Sequence, residues 1–94
     1  MNRAVGLDVR ALRVFEAVAS SGSLSSAAKL LGITQSAVSQ SLSQIEEILD
    51  TQVFDRTRRP FKLTPAGIAL SRRARSIVDE MDRLASGEVT ADLK

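Results

Sequence analysis

Apolar side chains recur at helical spacing along most of this chain, and the first such segment predicts a helix over Val9–Ala19. Asp8 precedes this segment as a capping residue, and Ser20-Ser21-Gly22 favours its end. One face of the helix is continuously apolar and is expected to face a core, with Val9, Leu12, Phe15 and Val18 flanked by Ala11, Val14 and Ala19.

Two shorter apolar segments follow, separated by a glycine. Ser23 is expected to cap a second helix that ends at Gly32, because glycine adopts the left-handed backbone without strain. Thr34 is expected to cap a third helix that ends near Leu49-Asp50, and Ile33 is predicted to tuck the turn into the core. The predicted buried faces are Ala27, Ala28 and Leu31, then Val38, Leu42, Ile45 and Leu49. This arrangement predicts a helix-turn-helix, a motif of DNA-binding proteins.

The outward face of the third helix is polar but uncharged. Its members are all serine or glutamine: Gln35, Ser36, Ser39, Gln40, Ser43 and Gln44. Glutamine can bond N6 and N7 of adenine together, and serine can bond a base edge or a phosphate. The pattern therefore favours base contacts from Gln35, Ser36, Ser39, Gln40 and Ser43. The alternative is a solvated polar face, which is common on surface helices.

A basic hairpin is predicted next. Residues 51–55 and Phe61–Leu63 favour two short strands, and Arg58-Arg59-Pro60 favours the turn between them. From Arg56 to Arg75 the chain has seven basic residues and no acidic one. A hairpin after a helix-turn-helix is a wing, and its cations suit phosphates or a narrow minor groove. The predicted contacts are Thr34, Arg56, Arg58, Arg59 and Lys62, the alternative being a solvated basic turn.

A long fourth helix is predicted from Thr64-Pro65 to Ser86-Gly87. Apolar or small residues alternate along it at spacings of three and four: Gly67, Leu70, Ala74, Ile77, Met81 and Leu84. About twenty residues give about 30 Å of helix, more than one small domain can cover. Leu70, Ala74, Ile77, Met81 and Leu84 are therefore predicted to contact a second copy of the chain. The alternative is that the whole stripe packs on its own domain.

Composition removes several classes of chemistry. The 94 residues include no Cys and no His, which excludes disulfides, thiolate or imidazole catalysis and the usual zinc ligands. No pair of remaining side chains forms a recognisable nucleophile and base, so we expect no enzyme activity and no cofactor. No apolar run has membrane-spanning length, and the first ten residues lack a signal-peptide core, so a cytoplasmic protein is expected.

Together these segments resemble the N-terminal DNA-binding region of LysR-type transcriptional regulators, over about Leu7 to Leu84. The matching segments are residues 12–19, Gly22-Ser23-Leu24 with Ala27-Ala28, residues 31–39, Ile45-Glu46, Phe54-Asp55-Arg56 and residues 63–67. The resemblance implies two dimerised heads on half-sites in adjacent major grooves. It also implies a following domain that binds a small-molecule effector, and a higher homo-oligomer of the full-length protein. Many relatives have Pro or Ala in place of Ser36, and a basic residue in place of Gln40 or Ser43.

The predicted fold is mainly α: a winged helix-turn-helix of three helices and a two-stranded wing, followed by a long linker helix that dimerises. We expect the DNA-binding domain over 1–64, the linker helix over 65–87, and a stub over 88–94 that leads to an effector domain. The expected partner is double-stranded DNA, with no membrane. The alternative function is a winged-helix protein-interaction module that does not bind DNA.

Overall fold

The computed structural model describes residues 7–87, and the stub predicted over 88–94 lies outside this range. Within it the elements are α1 (Val9–Ser21), α2 (Leu24–Leu31), α3 (Gln35–Leu49), β1 (Phe54–Asp55), β2 (Lys62–Leu63) and α4 (Pro65–Ala85). This confirms the predicted winged helix-turn-helix with a long final helix. No helix in the described part of the chain is both long and apolar enough to cross a membrane.

The predicted capping residues set where the helices begin. Asp8 accepts from the Ala11 N–H at 2.8 Å, and Ser23, Thr34 and Thr64 cap α2, α3 and α4 in the same way. Helix α1 runs two residues further than Ala19, the predicted end. In the last turn the Ser21 hydroxyl donates to the Ala17 carbonyl at 2.7 Å. Gly22 then ends the helix in the left-handed conformation.

The core forms where α1, α2 and α3 cross. Phe15 and Val18 of α1 and Val38, Leu42 and Ile45 of α3 have no exposed surface. The small residues Ala27 and Ala28 are the buried part of α2, as the close crossing requires. An aromatic row leads from the core into the hairpin, with the Phe15 and Phe54 rings 5.3 Å apart and those of Phe54 and Phe61 6.2 Å apart.

The prediction for the turn between α2 and α3 was wrong in one respect, since the Ile33 side chain is 40% exposed. Backbone hydrogen bonds hold the turn instead. Ile33 donates its N–H to the Ala28 carbonyl at 3.1 Å, and Gly32 has the left-handed φ of 68°. Leu49, at the last position of α3, is also exposed rather than buried. Leu31 is half-buried against the core.

The wing is a shorter hairpin than the sequence predicts. Its antiparallel pairs are Phe54 with Leu63 and Asp55 with Lys62. The residues before β1 are excluded from the sheet because their backbone groups bond elsewhere: the Gln52 carbonyl accepts from the Thr64 hydroxyl at 2.6 Å. Phe61 likewise donates its N–H to the Gly22 carbonyl at 2.9 Å, which ties the wing to the end of α1.

Glu46 joins the third helix to the wing. Its carboxylate accepts from the Val53 N–H at 2.9 Å and from Arg56 Nη2 at 3.0 Å. The Glu46 side chain is only 17% exposed, and that of Arg56 is 37% exposed. One carboxylate therefore fixes both the segment that enters β1 and the first arginine after it.

Helix α4 packs on the same core through Gly67, Ala74 and Val78. Gly67 permits this contact, because a Cβ there would lie 2.1 Å from the Val53 carbonyl oxygen. Further along, Asp82 accepts from Arg13 of α1 at 2.6 Å. The predicted stripe is thus divided: its first half faces the chain's own core, and Val78, which the strict spacing had omitted, replaces Ile77 and Met81 as a buried residue.

Gly67→Ala should destabilise the protein although alanine is the better helix former. The clash with a backbone oxygen should cost about 1–3 kcal/mol, more than the roughly 1 kcal/mol that alanine adds in helix propensity. Thermal or urea unfolding measures the difference. Ser76→Ala is the control, since Ser76 is exposed on α4 and should be neutral or slightly stabilising. A Gly67→Ala variant as stable as the wild type would contradict the close approach.

Arg56→Ala should lower the free energy of unfolding by about 1–2 kcal/mol, because it leaves a mostly buried carboxylate with one partner fewer. The figure is at the low end for a charged hydrogen bond, since solvent screens a partly exposed pair. Arg58→Ala removes the same charge two residues later from an exposed side chain and should stay within about 0.5 kcal/mol of the wild type. Equal losses in urea unfolding would show that the ion pair does not stabilise the wing.

Candidate nucleic-acid interface

The predicted base-contacting residues lie together on the outer side of α3. Four of them are exposed, and Ser39 is half-buried; the exposed ones are Gln35, Ser36, Gln40 and Ser43. Within residues 7–87, the side-chain hydrogen bonds of this helix are made at its ends, by Thr34 and Glu46. The serine and glutamine groups between them are free to donate to and accept from an external partner. Each of these exposed side chains has both a donor and an acceptor, which suits the base edges in a major groove.

The Thr34 hydroxyl caps α3 through its oxygen, and its proton stays available for a further hydrogen bond. Its Oγ1 accepts from the Ala37 N–H at 3.0 Å and so caps α3. A hydroxyl can accept and donate at once, so its proton remains for a phosphate oxygen. Thr34 is exposed at the start of the helix, which is where such a contact would be made.

The four predicted wing cations have different surroundings. Arg56 is held in the ion pair with Glu46, so part of its charge is already balanced. Arg58 and Lys62 are exposed. The Arg59 guanidinium carbon lies 4.7 Å from the centre of the Phe61 ring, a cation–π contact. The structure therefore brings Arg58, Arg59 and Lys62 to the surface of the wing and uses Arg56 inside it.

The single acidic residue of the wing is Asp55, and its carboxylate stays ionised. Hydrogen bonds from the Thr57 hydroxyl at 2.6 Å and the Thr57 N–H at 3.0 Å lower the pKa of Asp55. Desolvation acts in the opposite direction, and the positive charge of Arg58 adds a smaller lowering of the pKa. Asp55 consequently shapes the turn at neutral pH and offsets part of its positive charge.

The seven basic residues between Arg56 and Arg75 do not share one element. Four belong to the wing, and Arg72, Arg73 and Arg75 are exposed on α4. Arg75 lines a cleft that also includes Glu16 of α1 and Ser71. The basic run of the sequence is therefore distributed over two elements.

A small cleft lies where the wing meets the starts of α2 and α3. Its volume is about 190 Å³, and its lining residues are Ser23, Leu24, Ser25, Gln35, Arg59 and Phe61. Ser25, an exposed hydroxyl, was not among the predicted contacts. Its position in the first turn of a helix was the only signal in the sequence, whereas its neighbours across the cleft come from distant parts of the chain.

The predicted dimer residues separate into two groups. Ile77, Met81 and Leu84 are 47%, 43% and 44% exposed, which makes a continuous apolar edge on the second half of α4. Leu70 is half-buried against the core. Ala74 is fully buried in its own domain, so its side chain has no surface left for a second copy, and its assignment to the interface is corrected.

Comparisons with known proteins agree with this geometry. The family described as bacterial regulatory helix-turn-helix proteins, lysR family, matches residues 9–68. The transcriptional regulator TdcA of Escherichia coli K12 is 43% identical over 75 residues, which is 80% of this chain and 24% of TdcA. The chain thus spans about a quarter of that relative's length.

Two solved structures are similar over nearly the whole chain. The BenM DNA-binding domain in complex with catB site 1 DNA has a TM-score of 0.84 and 31% identity, covering 92% of this chain and 97% of that one. The CbnR DNA-binding domain in complex with DNA has a TM-score of 0.81 and 30% identity, covering 92% and 99%. The chain belongs to the lysR family of bacterial regulatory helix-turn-helix proteins, and it has the fold of their DNA-binding domains.

Proposed function

We propose that this chain binds double-stranded DNA sequence-specifically, as the DNA-binding part of a dimeric transcription regulator without catalysis of its own. The observation that carries the proposal is the outer face of α3, where serine and glutamine side chains are exposed and unpaired within the described residues. A helix of this kind fits the major groove. Similarity to two domains solved in complexes with DNA supports the same function.

Affinity and sequence preference are assigned to different residues according to their charge. Phosphate contacts supply affinity without sequence preference, and base contacts supply discrimination. We assign base contacts to Gln35, Ser36, Ser39, Gln40 and Ser43, and backbone contacts to Thr34, Arg58, Arg59 and Lys62. Arg56 serves mainly to hold the wing against α3 through Glu46.

The exposed apolar edge of Ile77, Met81 and Leu84 supports assembly. Such an edge on an otherwise polar helix is typical of a surface that a partner covers. A second copy would bury it against the same residues of its own α4. Two heads joined in this way bind two half-sites, and the linked binding raises the overall affinity.

The longer protein is expected to add a domain that responds to a small molecule, to form a higher homo-oligomer and to work in the cytoplasm, where a bacterial regulator meets its DNA. This rests on the family and on the share of TdcA that the chain spans. A winged-helix module for protein contacts is the alternative. It predicts no salt-dependent affinity for duplex DNA, whereas phosphate contacts give a slope of about 0.9 in log K against log salt for each one.

Gln40→Ala should weaken binding to the preferred duplex, selected from random sequences, by about 1–3 kcal/mol and leave binding to random duplex almost unchanged. The variant loses a base contact on the preferred duplex, whereas random duplex offers no such contact to lose. Gln44→Ala is a matched control, since Gln44 lines a different cleft, beside α1, and its loss should be small on both. Fluorescence titration with each duplex measures the effect. An equal loss on both duplexes would move Gln40 to the phosphate contacts.

Met81→Glu should convert the dimer to a monomer, because two like charges would meet in a desolvated contact at a cost of several kcal/mol. Sedimentation of the purified domain measures the assembly, and unfolding checks that the core remains intact. Ser76→Glu is the control, as Ser76 is exposed on α4 away from the apolar edge, and should leave the dimer unchanged. A wild-type domain that is monomeric at tens of micromolar and still binds its full site tightly would contradict this interface.

A further inference from the structure

The Arg59 side chain is held in place from two sides. Its guanidinium carbon lies 4.7 Å from the centre of the Phe61 ring. Its Nη1 donates to the carbonyls of Arg56 at 2.6 Å and Arg58 at 3.2 Å. An arginine on a wing tip would otherwise sample many rotamers, and fixing it costs conformational entropy. Here the chain fixes it before any partner arrives.

The part of the guanidinium that remains free is suited to an anion. A guanidinium has five N–H donors, and Nη1 uses its two on backbone carbonyls. The donors on Nη2 and Nε have no partner among residues 7–87. Arg59 also lines the cleft of about 190 Å³ that it shares with Ser25 and Gln35. An arginine, a serine and a glutamine thus line one small space between the wing and α3.

The ring that holds Arg59 is itself fixed by the core. Phe61 is 9% exposed, and its ring packs on that of Phe54 with 6.2 Å between centres. Its N–H is bonded to the Gly22 carbonyl at 2.9 Å. The ring is therefore held rigidly by the core, and it fixes the position of the Arg59 guanidinium that stacks on it.

We propose that Phe61 is a positioning residue that pre-orders Arg59 toward a single backbone phosphate in the cleft with Ser25 and Gln35. The inference rests on the proposed DNA binding and deepens it. Arg59 then makes a phosphate contact next to α3 and does not contribute to sequence preference. The exposed side chain of Arg58 has no such aromatic platform, so it loses its conformational entropy only when it binds.

A double-mutant cycle tests the coupling. Phe61→Leu removes the π face while keeping an apolar side chain, and should weaken duplex binding about 2- to 5-fold, equally on preferred and random duplex. In an Arg59→Ala background the same substitution should have no further effect, because the group that it positions is gone. In an Arg58→Ala background it should again cost about 2- to 5-fold. Arg59→Ala alone should lower the salt slope by about 0.9.

Thermal unfolding of every variant separates a folding defect from a binding defect. Phe61→Met serves as a second variant should Phe61→Leu fail to fold. A loss from the Phe61 substitution that is undiminished in the Arg59→Ala background, or no loss in either background, would overturn the proposal. Failure of DNA binding itself is a separate result: the wild-type domain would then show no salt-dependent affinity for any duplex.

Discussion

The placement of the candidate nucleic-acid interface depends on the backbone groups of one residue, Val53. Its N–H bonds the Glu46 carboxylate of α3, and its carbonyl accepts from the Thr64 N–H at 3.1 Å, just before α4. The same carbonyl faces Gly67, where no side chain could fit. Because its side chain is fully buried, this residue joins α3, the wing and α4 to the core at a single point.

The helices could be predicted from the sequence because their determinants are local. Capping residues and apolar spacing lie within a few positions of each boundary, and Ser23, Thr34 and Thr64 each cap the expected helix. The strands were overestimated because side chains take backbone groups before β1: the Val53 N–H bonds the Glu46 carboxylate, and the Gln52 carbonyl bonds the Thr64 hydroxyl. Ile33 was misplaced for a related reason: short-range apolar character does not say which side of a turn is covered.

The sequence was enough to predict which types of residue form the candidate site. It was not enough to predict what each of those residues contacts. The uncharged face of α3 follows from helical periodicity. The pairing of Arg56 with Glu46, ten residues earlier, and the stacking of Arg59 on Phe61 depend on how the hairpin folds back. The spacing of apolar residues along α4 likewise could not show that Val78 is buried and Met81 exposed. The packing of α4 on α1 decides that difference. The individual DNA and dimer contacts remain predictions.

Residues 35–44 of α3 carry no charge, although the exposed Glu47 follows one turn later on the same face. On the proposed mode of binding, this separates sequence preference from general affinity for DNA. If these residues make the proposed base contacts, exchanging one serine or glutamine for another neutral polar residue would alter which bases are bonded but leave the electrostatic attraction to DNA unchanged. Under that proposal, single substitutions would change the preferred DNA sequence while the affinity supplied by phosphate contacts of the wing stays constant. Duplicated copies of such a regulator would then acquire separate targets without first losing their affinity for DNA.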